Sequence, residues 1–233
     1  METKKVSMTY ERVIPLGLNC STKGHINAFF KKEIENAMKT LPGHAELFDW
    51  VEIHDYNCLT ECLNNNFDNF FEREDMQLNF KTPNELYNKK NKIRYPHLFH
   101  QIYDGDEISS KFTDKFVDSV FPKLKNKIDY LKEKFISAKN FNTLYVIACK
   151  RHGMDIKTMT ELRNSIINIR GGDVRFHILF VPQKKTFSEI DHVIIRECKV
   201  HNQIWINSEH QIYWDEILSE FSFSEILYLP KNI

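Results

Sequence analysis

The sequence predicts an α/β fold of three layers: a mainly parallel sheet with helices on both faces. Three observations carry this. "TLYVIAC", "RFHILFV" and "HVIIREC" are nearly continuous branched-aliphatic and aromatic runs of strand length, the pattern of strands buried on both faces. A helical period separates the first two, as a crossover between parallel strands requires. Near the start, "RVIPLGLNCSTKGHINAFF" passes from an apolar run through Gly17 directly into a helical pattern.

Val13–Leu16 reads as a buried strand ended by Gly17. Ser21 or Thr22 can cap a helix that carries Ile26, Phe29 or Phe30, Ile34 and Ala37–Met38 on one face, and "LPGH" closes it. Tyr56–Phe71 has a helical pattern. Residues 72–112 are polar and without clear period, so residues 56–112 are expected to form an insertion or cap on a single 1–233 α/β domain. Thr113–Lys139 repeats Phe116, Val117, Val120, Phe121, Leu124, Ile128, Leu131 and Phe135 at helical spacing, with Pro122 expected to bend or split the helix. Thr143–Cys149 is a strand, Ile156–Arg170 a helix stopped by Gly171-Gly172, and Arg175–Val181, His192–Cys198 and Gln203–Ile206 further strands. Tyr213–Phe221 reads as a final short helix.

Composition narrows the class. The 233 residues hold 32 basic and 32 acidic side chains, a balance that argues against bulk attraction to nucleic acid or anionic membrane. No apolar run is long enough to cross a bilayer, and "METKKVSMTYER" lacks the apolar core of a signal peptide. The five cysteines (20, 58, 62, 149 and 198) are odd in number and irregular in spacing, which suits reduced thiols. The expectation is a cytoplasmic protein, with export by a route that reads no N-terminal signal left open.

Chemistry concentrates at Cys20. A thiol at a helix N-terminus feels the positive end of the peptide dipoles, which favours thiolate, and the same amides can hold an oxyanion. Gly17 making a tight turn beside a small buried thiol fits the same residues. Asn19 lines that turn as a binding candidate. A base is needed: His100, in "YPHLFHQIYDGD" with Asp104 near, and His210, in "NSEHQIYWDE" beside Glu209, directly after the last strand and so expected at a sheet edge, are the two candidates. Lys150 and Arg151 end a strand and could hold an anionic group or be solvated. Cys58 and Cys62 share a helix face but lack the second ligand pair of a zinc site, and no cofactor or metal is expected.

Four of these segments resemble a bacterial family catalogued as papain-like cysteine peptidases: "VIPLGLNCSTKGHI", its strand–Leu-Gly-x-x-Cys–helix opening; "AELFDWV", its Pro-Phe-Asp-Trp motif with Leu47 for the proline; "YPHLFHQI", its Phe/Tyr-His-Asp-Phe motif with Gln101 for the aspartate; and "NSEHQIYWDEIL", its closing segment. The resemblance spans residues 12 to about 220. It implies a thiol hydrolase with Cys20 as nucleophile, His100 as base and Asp49 as a site-lining or orienting acid. A strand leading straight into the nucleophile, with an acidic-His pair near the end, is also similar in layout to SGNH-type esterases, which carry Ser at this position.

The leading expectation is a cysteine-dependent hydrolase or acyltransferase, with Cys20 as nucleophile, His100 or His210 as base, and a small-molecule or peptide substrate. A non-catalytic binding protein on the same scaffold would instead use Asp49, Trp50, Lys150 and Arg151. A protein partner would dock through residues 56–112.

Overall fold

The computed structural model describes residues 8–17, 21–31, 45–49, 51–53, 55–78, 85–96, 113–149, 154–198 and 208–225. In chain order the strands are β1 (Thr9–Tyr10), β2 (Arg12–Pro15), β3 (Glu52–Ile53), β4 (Met76–Leu78), β5 (Leu86–Asn88), β6 (Ile93–Tyr95), β7 (Thr143–Cys149), β8 (Phe176–Pro182), β9 (Val193–Ile195) and β10 (Ser222–Phe223). The α-helices are α1 (Ser21–Lys31), α2 (Tyr56–Asn64), α3 (Asp114–Ile136), α4 (Ile156–Ile169) and α5 (Ser208–Ser219). The chain is therefore α/β, and its sheets are mixed in kind.

β2, β7, β8 and β9 form a sheet in that order, every neighbouring pair parallel. Side chains along a strand point alternately to opposite faces, and here both faces are apolar. Ile14, Tyr145, Ile147, Ile178, Phe180, Val193 and Ile195 join one cluster with residues of α2, α3 and α4. Val13, Leu144, Val146, Leu179, Val181 and Ile194 join another with Ile26 and Phe30 of α1 and Trp214, Ile217 and Leu218 of α5. Each such side chain contributes roughly 1.5–3 kcal/mol on burial. Double-sided burial is why these strands read as unbroken aliphatic runs.

α4 begins and ends close to where its sequence says it should. Asp155 caps α4 by accepting from the Thr158 amide, 2.7 Å. Gly171 and Gly172 adopt left-handed φ of 66° and 84° and return their amides to Asn168 and Ile167, closing the helix as expected. Arg170, buried at that corner, donates to the carbonyls of Ala138 (2.8 Å), Phe141 (3.0 Å) and Arg175 (3.2 Å). It thereby ties together the segments that enter β7 and β8.

Several expectations are corrected. α3 runs through Pro122 as one helix, so the proline does not split it. Pro122 and Asp118, whose carbonyl loses its helical partner, both lie on the exposed face, where water can satisfy that carbonyl. Residues 72–112, read as irregular, contain three strands that join β3 in an antiparallel sheet of order β3-β6-β5-β4. Their three-residue lengths are too short to show alternation. α2 stops at Asn64, and the chain turns through Asn66, Phe67 and Asn69 at positive φ. α5 begins at Ser208, earlier than the expected Tyr213, which places His210 inside the helix. The strand expected at Gln203–Ile206 and the helical stretch beyond Lys31 lie outside the described residues.

Candidate functional site

The four parallel strands share one carboxyl edge, and the chain leaves β2 at that edge. Leu16 still donates to the Val146 carbonyl, 2.9 Å. Gly17 then takes φ of 74°, and a Cβ there would lie 2.5 Å from Cδ1 of Ile53. Only glycine meets both demands, the left-handed backbone and the close approach of β3. α1 opens at Ser21, the residue after Cys20; Asn19 and Cys20 themselves lie outside the described residues.

α1 has no ordinary solvent face over its first two turns: Thr22 to Ala28 are all buried. Polar groups on it must therefore find partners within the protein. Lys23, in the first turn, reaches Asp49 of the 45–49 turn, Nζ to Oδ2 3.1 Å, both side chains nearly inaccessible. The Glu46 amide donates to the same oxygen, 2.9 Å. Oδ1 of Asp49 is buried and has no hydrogen-bond partner among the described residues. Burial pushes the Asp49 carboxyl up to about 6; Lys23 opposes the rise and Glu46 adds to it.

More cations surround this pair. Arg12 of β2 bonds Glu46 at 2.5 Å, and Lys134 of α3 lies 3.1 Å from the other Glu46 oxygen. Burial pulls the Lys134 and Lys127 ammonium groups down, with Glu46 and Asp49 respectively opposing. Asp49 thus sits in a buried ionic cluster that couples β2, α3 and the first turn of α1.

On its other side α1 meets α5. His25 stacks flat on Trp214, ring centroids 5.0 Å apart at 8°, and its Nδ1 lies 2.9 Å from Oε1 of Gln211. His210, in the first turn of α5, is 7 % exposed. The structure therefore brings two of the expected site residues, Asp49 and His210, onto elements that pack against the helix following Cys20.

Glu209 lies on α5, but its side chain is outside the description, and Trp50, His100, Asp104, Lys150 and Arg151 lie outside the described residues. Lys23, His25 and Gln211 were not anticipated. The available signal was polar residues at Lys23, His25 and Asn27 spread around a helix too polar to be buried without partners.

The other thiols contrast with a helix-start cysteine. Burial pushes Cys62 up to about 12, and Cys58 is raised as well, again mainly by burial. Among the described residues no group of three or more His, Cys, Asp or Glu is placed to hold a metal, and no helix is long and apolar enough to cross a membrane. No family model, curated protein or solved structure matches the chain.

Proposed function

We propose that the chain is a cysteine-dependent hydrolase or acyltransferase in which Cys20 is the nucleophile and His210 its base. The observation that carries this reading is the packing of the first turns of α5, which hold His210, on the first turns of α1, which begins immediately after Cys20. The resemblance of the four motif segments to papain-like cysteine peptidases supports the same chemistry, and the strand-to-helix placement of Cys20 supports an esterase-like layout of it. We read the architecture as a three-layer domain over 1–233, with residues 56–112 as a cap, and the substrate as a small molecule or peptide bearing an acyl group.

In this mechanism His210 takes the Cys20 proton, and the thiolate adds to the substrate carbonyl carbon. The oxyanion is held by amides at the start of α1. Collapse breaks the acyl bond to the leaving amine or alcohol, which receives the proton from His210. Water, deprotonated by His210, then attacks the thioester, and the Cys20 thiolate departs; another acceptor in place of water gives acyl transfer.

The test is the rate of alkylation by iodoacetamide, followed at each cysteine by mass spectrometry between pH 5 and 9. Cys20 is expected to react with an apparent pKa well below the ordinary thiol value of about 8.5, and His210→Ala to move it up towards that value. Cys62 is expected to stay inert across the range. A Cys20 that reacts no faster than Cys198 would sink the reading and favour a binding protein on this scaffold. A shift seen with His100→Ala and not with His210→Ala would transfer the base to His100.

A further inference from the structure

We propose that Gln211 is the positioning residue that orients His210 towards the nucleophile helix; this rests on the function proposed above. Its side chain makes three bonds, two across the α1–α5 seam to His25 and one within α5 to Asp215. Nε2 donates to Oδ1 of Asp215, 2.7 Å, and to the backbone carbonyl of His25, 3.3 Å. Oε1 faces Nδ1 of His25 at 2.9 Å. An ionised carboxylate only accepts, so the amide nitrogen must be the atom turned to Asp215. That fixes the amide orientation and leaves Oε1 as the acceptor. Nδ1 of His25 therefore carries a proton and donates.

The chain His25–Gln211–Asp215 is thus directional, and each member has one role. Asp215, one turn further along α5, holds the Gln211 amide. Gln211 grips both the ring and the main chain of His25. The His25 ring, stacked on Trp214, then has a single orientation. Trp214, Ile217 and Leu218 supply apolar contact that holds α5 to the sheet, but apolar contact is non-directional. Gln211, the residue next to His210, supplies directional bonds from α5 to α1. A rotation of α5 about its axis, or a slide along α1, breaks them first and turns His210 away.

The experiment uses the full chain and the alkylation profile of Cys20 by iodoacetamide. Gln211→Leu keeps the side-chain bulk and removes all three bonds. It is expected to stay folded by circular dichroism, to raise the apparent Cys20 pKa towards that of a free thiol, and to slow alkylation at pH 6.5 by roughly tenfold, the factor that one pKa unit represents. Gln211→Glu paired with Asp215→Asn exchanges the amide and the carboxylate. The amide now at position 215 donates to the carboxylate now at position 211, which still accepts from His25. Gln211→Glu alone sets a carboxylate against Asp215 and against the His25 carbonyl, and is expected to raise the Cys20 pKa as Gln211→Leu does. Adding Asp215→Asn restores the bonds to position 215 and to the His25 ring, though not the one to the His25 carbonyl, and is expected to recover part of the lowered pKa. A pKa left unchanged by Gln211→Glu alone overturns the inference even should Gln211→Leu fail to fold. A Cys20 pKa that His210→Ala raises and Gln211→Leu leaves unchanged overturns this inference alone. An ordinary Cys20 profile in the unaltered chain overturns the function and the inference together.

Discussion

Asp49 is buried with one carboxylate oxygen doubly bonded and the other unmet among the described residues, and that imbalance has a measurable consequence. Its carboxyl is raised to about 6, chiefly by burial, whereas an unfolded aspartate titrates near about 3.9. The folded state therefore binds this proton more tightly than the unfolded state. The stability it contributes is complete below about pH 4 and is lost as pH rises through about 6. Relative to Asp49→Asn, the unaltered protein is expected to gain on the order of 2 kcal/mol of unfolding free energy between about pH 7 and pH 4, measured by urea denaturation at each pH. Parallel pH curves for the two proteins would contradict this. None of this was legible from residue types. An aspartate in "LFDWV" announces an interesting group, but its partner Lys23 lies on another element, and only folding brings them to 3.1 Å. The same holds for His25 and Gln211, which are far apart in the chain and bonded in space.

Among the elements, the turn after β2 and the middle of α3 make opposite predictions. Gly17→Ala forces a Cβ onto a left-handed backbone and into the buried Ile53 side chain, which must shift to admit it. A loss of about 2 kcal/mol or more is expected. Adding Ile53→Val, which removes the Cδ1 that clashes, should recover part of it and leave the backbone strain. Full additivity of the two changes in urea melts would show that the close approach is not what selects glycine. Pro122 is the reverse case, a residue the helix tolerates at a cost. Pro122→Ala is expected to stabilise the protein by about 1–3 kcal/mol, because it restores the hydrogen bond to the Asp118 carbonyl on an exposed face. An unchanged melting temperature would contradict that. The long elements were legible for a simple reason. α3, α4, β7 and β8 each present enough residues for a period of 3.6 or a continuous apolar run to emerge. β4, β5 and β6 are three residues each, and what defines them is pairing with one another, a non-local property that no window along the chain contains.

At the scale of the whole molecule, the two edges of the parallel sheet have separate duties. The carboxyl edge carries the turn into α1. The amino edge is bound together by Arg170, whose guanidinium replaces solvent for backbone carbonyls of the two segments that enter β7 and β8, among them Ala138, Phe141 and Arg175. Arg170→Met would strand those acceptors, and a loss of about 3 kcal/mol in unfolding free energy is expected. Because the damage lies at the opposite edge, the Cys20 alkylation profile of the folded variant should match that of the unaltered protein; a shifted profile would show that the edges are coupled. The α/β class was readable because strand and helix patterns alternate in the second half of the chain. The antiparallel sheet was not, since it interrupts the path from β2 to its partner β7. The seam between α1 and α5 has a further consequence, in time instead of space. During synthesis α1 emerges well before the side chains that cover one face of it, Trp214, Ile217 and Leu218. Until they do, that face stays open on the ribosome and available to a chaperone, and a thiol at the start of α1 has no histidine from α5 to activate it. The chain thus withholds its proposed reactivity until α5 has been made.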